Sequence, residues 1–173
     1  MKMAFSLIVV AFGVVSCTRT IIVHSATSPS ARFDAYRTFE FRTMESPPTS
    51  YGASARTVEA CRRIEREATE LLQAKGYSAA ADSKPDLVLW VAAGRRERAT
   101  YSEAVNRGWF SEDEGEDFIE GSFVIDAVDG ATHDLVWHGS ARTEVDPNGI
   151  NESLLRRAVT SVMARFPSRG PTG

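Results

Sequence analysis

The sequence predicts an α+β fold of two layers, in which a mixed or antiparallel sheet of about four to five strands carries two helices on one face. Three observations predict it: short β-branched or alternating runs typical of strands, two segments with apolar residues at helical spacing, and turn residues between them. Their order is strand, strand, helix, strand, long loop, hairpin, helix. With 173 residues, the chain has the size of one domain.

Two strands are expected near the start of this order. The β-branched run at residues 21–23 indicates a short strand over residues 20–24. Residues 36–41 alternate with a period of two, which predicts a second strand with Phe39 and Phe41 pointing inward.

The first helix is predicted over residues 55–75 and is ended by Gly76. Its apolar stripe consists of Cys61, Ile64, Ala68, Leu71 and Leu72. The run 87–92 is apolar on both faces and indicates a central strand for this helix to cover.

The last part of the chain predicts a hairpin and a second helix. Residues 122–127 and 134–141 flank Asp129 and Gly130, a pair that favours a tight turn. Residues 147–149 start the second helix, which is ended by Pro167. Its apolar positions are Ile150, Leu154, Ala158, Val162 and Phe166. Residues 94–120 are left as a long loop, in which Tyr101, Trp109, Phe110 and Phe118 either anchor a partner or form an extra strand.

The N-terminus has the layout of a secretory signal, with Lys2, an apolar run over residues 3–15 and the small Ser16. The run is shorter than the roughly 20 residues that a membrane-spanning helix needs. The boundary at residues 14–17 resembles the bacterial lipobox. That resemblance implies cleavage before Cys17, acylation of Cys17 and a lipid bilayer as partner, and Thr18 implies sorting to the outer membrane, facing the periplasm.

The division that follows is a signal peptide at 1–16, a lipidated segment with a short strand at 17–32, one domain at 33–167 and a flexible tail at 168–173. Several stretches of the domain resemble the DUF4136 family of bacterial lipoproteins of unknown function. The matching stretches are residues 33–41, 75–77, 85–88, 121–125 with Asp129, 135–139 and 165–167. The resemblance implies an envelope lipoprotein with no established activity.

No catalytic, cofactor-binding or metal-binding residue is predicted, and no cofactor. The acidic residues Glu112, Asp113, Glu114, Glu116, Asp117 and Glu120 offer oxygen ligands for calcium but lack the order of an EF-hand loop. His24, His133 and His138 lack zinc-ligand spacing. Cys61 lies on the apolar stripe and is expected to be an inert thiol.

The function expected from these features is a non-enzymatic binding or assembly role at the envelope, with an envelope protein as a further partner. One alternative is an envelope hydrolase in which Glu116 or Asp117 meets His138 only in the fold. The other is a cation-binding structural protein that uses the acidic run. A net charge of −3 with only short basic runs disfavours nucleic acid as a partner.

Overall fold

A computed structural model describes residues 19–42, 55–81, 84–99, 117–146 and 149–169. These residues form an α+β fold with one sheet and two helices, as predicted. The elements are β1 Ile22–Thr27, β2 Thr38–Arg42, α1 Ala55–Ala74, β3 Ser78–Ala79, β4 Leu87–Ala99, β5 Asp117–Asp129, β6 Leu135–Val145 and α2 Glu152–Met163. The described sheet has six strands, more than predicted, because β3 is only two residues long and leaves no periodic signal.

The sheet is mixed, and its strand order is β1-β6-β5-β4-β2-β3. Strands β4, β5, β6 and β1 pair antiparallel, whereas β2 is parallel to β3 and β4. The parallel pairing follows from the position of α1 between β2 and β4, since a helix returns the chain to the same end of the sheet. Strand β1 closes the other side by pairing with β6, the last strand in the sequence.

Both helices cover the same face of the sheet, and the core lies between the two layers. Helix α1 buries Ile64, Ala68 and Leu72, which are four residues apart and therefore share one side of the helix. The sheet contributes alternate residues, such as Leu87 and Leu89 of β4. Phe39 is buried as predicted, and its half-buried neighbour Phe41 stacks edge to face on it.

The helix boundaries have local causes. Gly76 follows α1 with a φ of 93°, a left-handed conformation that favours glycine. At the start of α2, the side chain of Asn151 accepts a hydrogen bond of 3.0 Å from the backbone of Leu154. The second helix therefore begins a few residues later than the turn residues indicated.

The central hairpin is longer than predicted. Strand β4 continues to Ala99 and β5 begins at Asp117, so that these two residues are paired. Both ends of the predicted loop at residues 94–120, namely 94–99 and 117–120, are thus strand, because the backbone ladder continues through positions with charged side chains. Residues 100–116, with Trp109 and Phe110, lie outside the described part of the chain. Among the described residues, no helix is long and apolar enough to cross a membrane.

Candidate functional site

The two ends of the sheet differ in structure, and we name them by their residues. The closed end contains Asp86 and Asp129, where β4 begins and β5 ends. The open end contains Val145 and Asn151, where β6 ends and α2 is capped.

At the closed end, two carboxylates tie distant segments together. Asp86 accepts hydrogen bonds of 2.8 and 2.9 Å from the backbone nitrogens of Arg37 and Thr38, and one of 3.1 Å from the Thr38 hydroxyl. Asp129 accepts one of 2.8 Å from the Tyr36 hydroxyl. Its other oxygen accepts from the backbone nitrogens of residues 131 and 132 and so closes the β5–β6 turn.

These contacts change the acidity of the groups involved. Hydrogen bonds from the Thr132 backbone, Tyr36 and the Ala131 backbone lower the pKa of Asp129. Partial burial by itself would raise the pKa of Asp86, but its bonds from Thr38 and Arg37 outweigh it and lower the pKa. Burial and the bond to Asp129 raise the pKa of Tyr36 to about 12. All three groups are therefore held in the protonation state that serves the hydrogen bonds at neutral pH.

The closed end also contains an aromatic cluster around Phe166. Its ring centroid lies 4.8 Å from that of Trp137, 5.7 Å from that of Tyr77 and 5.5 Å from that of Phe33. Gly139 lies under Trp137, where a Cβ atom would come within 2.1 Å of the indole ring. Most of the stretches that resemble the DUF4136 family lie at the closed end. Their residues pack together or form hydrogen bonds there, which explains their positions.

At the open end, a cavity of about 100 Å³ lies between the helices and the sheet. Small side chains from both layers leave this space: Ala60 of α1, Ala93 of β4, Ala141 of β6 and Ala158 of α2. The walls are almost entirely apolar. The exposed lining residues, Arg56, Arg95, Gly149 and Asn151, lie at the open end, so within the described part of the chain the cavity opens there.

The chain enters the fold beside this cavity. The hydroxyl of Thr143, which lines the cavity, donates a hydrogen bond of 2.9 Å to the carbonyl oxygen of Thr20. Arg157 donates one of 3.3 Å to the carbonyl oxygen of Arg19, whose guanidinium lies 3.8 Å from Glu144. Cys17, the predicted lipidation site, lies just outside the described residues, two positions before Arg19.

The sheet face opposite the helices carries one histidine–carboxylate pair. Nδ1 of His138 on β6 lies 2.7 Å from a carboxylate oxygen of Asp126 on β5, and both side chains are partly exposed. The hydrolase alternative required Glu116 or Asp117 near His138. Asp117 is nine positions from Asp126 along β5, which is roughly 30 Å. Glu116 lies outside the described residues, and the structure therefore does not bring Asp117 to His138.

The remaining candidate residues are dispersed. His24 is exposed on β1, and His133 is exposed in the β5–β6 turn with a φ of 64°. Cys61 is half-buried against the core, and burial raises the pKa of its thiol. Of the acidic run, only Asp117 and Glu120 fall within the described strands, and no cluster of metal-ligating side chains occurs among the described residues.

The sequence matches the model of a known family. The model of DUF4136, a domain of unknown function, matches residues 23–168. The chain belongs to the DUF4136 family. No curated protein sequence matches this DUF4136 chain significantly.

Solved structures are similar to this DUF4136 protein. A DUF4136 family protein from Bacteroides thetaiotaomicron is 19% identical with a TM-score of 0.54, over 86% of this chain and 96% of that one. A PDZ domain protein from Parabacteroides distasonis is 15% identical with a TM-score of 0.51, over 88% of this chain and 37% of that one. A PelC dodecamer from Paraburkholderia phytofirmans is 15% identical with a TM-score of 0.47, over 87% of this chain and all of that one.

Sequence reasoning missed the cavity and the His138–Asp126 pair. The cavity depends on alanines from four elements that only the packed layers bring together. The pair had a usable signal, because the predicted hairpin places residues 126 and 138 at similar distances from its turn.

Proposed function

We propose that this DUF4136 protein is an envelope lipoprotein, acylated on Cys17, with a non-enzymatic binding or assembly role. The single observation that carries the proposal is the N-terminal order of Lys2, the apolar run at 3–15, small Ser16 and Cys17. Several acyl chains on one cysteine give stable anchoring, since each buried CH₂ group contributes about 0.8 kcal/mol. Thr18 after the cysteine favours the outer membrane over the inner one.

The described structure supports this proposal in two ways. The fold begins close behind the anchor, since Arg19 and Thr20 already contact α2 and β6. Most of the stretches that resemble the family serve packing and hydrogen bonding at the closed end. A domain that begins close behind its anchor, and whose family-like stretches serve structure, supports a binding or assembly role.

The experiment that tests the anchor is intact-mass analysis of the expressed protein together with separation of inner and outer membranes. We expect a mass equal to the chain from Cys17 onward plus acyl chains, in the outer-membrane fraction. Cys17→Ala removes the thiol that accepts the lipid and should abolish both the added mass and the membrane association. Cys61→Ala is the matched control, because it removes the other cysteine and should change neither result.

An unmodified full-length mass in the soluble fraction of the native protein contradicts the anchor. A hydrolytic or transfer activity of the purified protein, lost when one polar residue such as His138 is changed, contradicts the non-enzymatic role.

A further inference from the structure

The direction in which the chain leaves the fold toward Cys17 follows from α2. Arg157 donates to the carbonyl oxygen of Arg19, and Arg165, eight residues later, donates a bond of 3.0 Å to that of Val23. Strand β1 and helix α2 therefore run in the same direction. Moving back along the chain from Arg19 leads toward the start of α2 at Glu152, which is the open end.

The start of α1 lies at the same end. Arg63 of α1 forms an ion pair with Glu152, and Glu67 lies 2.9 Å from Arg156. Because later residues of α1 meet later residues of α2, the two helices are parallel and both begin at the open end. The paired ends of β4 and β5 and the mouth of the cavity are there as well.

The length of the tether limits the orientation of the domain. Arg19 is two positions after Cys17, and the extended reach of two positions is roughly 7 Å. The rise along α2 from Arg157 back to Glu152 is about the same, roughly 7.5 Å. The tether is therefore about as long as the distance from Arg157 to the open end. A lipid on Cys17 holds the open end close to the membrane surface.

We propose that the open end, with the first turn of α2 and the cavity mouth, lies against the lipid headgroups of the membrane that holds the protein. This inference rests on the proposed acylation of Cys17. The partner is a phospholipid surface, because the chain runs from Arg19 toward the acylated residue at this end. The closed end, with the β5–β6 turn, then points away from the membrane.

The test uses spin labels on the lipidated full chain in vesicles of phosphatidylethanolamine and phosphatidylglycerol. With Cys61→Ala as background, Ser153→Cys places a label in the first turn of α2, and Thr132→Cys places one in the β5–β6 turn. Both native side chains are exposed. We expect lipid-soluble oxygen to relax the label at 153 and a water-soluble nickel complex to relax the label at 132.

Equal accessibility of both labels in acylated protein, or greater protection at 132, overturns the orientation but leaves the anchor intact. A mass without acyl chains on Cys17 overturns the anchor and the orientation together. A flexible Gly-Ser segment inserted between Thr18 and Arg19 should keep the acylation and abolish the difference between the labels. A difference that persists after this insertion contradicts the short tether as its cause.

Discussion

The closed end and the open end of the sheet are built on opposite principles. At the closed end, Asp86 and Asp129 join segments far apart in sequence, and large aromatic rings fill the space between the layers. At the open end, alanines face one another across the layers and leave a cavity. The contacts that fix the order of the elements are therefore concentrated at the closed end. At the open end, the packing between the two layers is incomplete.

The largest expected effect is at the aromatic cluster of the closed end. Trp137→Ala removes the largest fully buried side chain among the described residues and should lower the free energy of unfolding by about 3–5 kcal/mol. Urea unfolding followed by circular dichroism measures it. Leu135→Ala, at the same end but 51% exposed, is the control and should cost less than about 1 kcal/mol. Equal losses in the two variants would contradict the description of the closed end as the packed one.

A second comparison uses one helix to sample both ends. Ala68→Leu adds volume where α1 is fully buried and should cost about 1–3 kcal/mol, because close packing leaves no room. Ala60→Leu, two turns earlier, points into the cavity and should change stability by less than about 1 kcal/mol or raise it. Thermal melting of both variants decides the matter. If Ala60→Leu is as harmful as Ala68→Leu, the open end is not under-filled.

Gly139 tests how closely Trp137 packs on the sheet. Gly139→Ala places a methyl group against the indole and against Val162, 2.7 Å away, and should cost about 1–3 kcal/mol. Gly149→Ala is the matched control, since nothing lies within 4 Å of a Cβ atom built there. The midpoints of urea denaturation for the two variants should therefore differ clearly. Equal midpoints would show that the ring adjusts without cost.

The smallest effect expected is the acid sensitivity of the closed end. The pKa values of Asp86 and Asp129 are lowered in the folded protein, so their stabilisation is complete above the unfolded value near about 4. It is lost as the pH falls through their folded values. Asp129→Asn should cost about 1 kcal/mol at neutral pH and reduce the loss of stability on acidification. Unfolding curves at a series of pH values measure both, and an unchanged acid response contradicts the role of Asp129.

The sequence predicted the elements with a strong local signal and missed what depends on pairing across the fold. The helix at residues 55–75 and the β5–β6 hairpin have periodicity and turn residues of their own. Strand β3 and the extension of β4 past Gly94 have no such local signal. They form because they pair with the backbone of a neighbouring strand. Of the candidate site, the sequence predicts Cys17 as the lipidation site, while the route of the chain past Thr143 required the structure.

The pairing of β1 with β6 sets the order in which the protein can be completed. Ile22 pairs with Arg142, so the first strand has no partner until nearly the whole chain has been synthesised. Strands β4, β5 and β6 are neighbours in sequence and can pair earlier, because their contacts are more local than those of β1 with β6. During that interval residues 19–21 are not held by β6, so the acylation that we propose for Cys17 would act on an accessible segment before β1 docks.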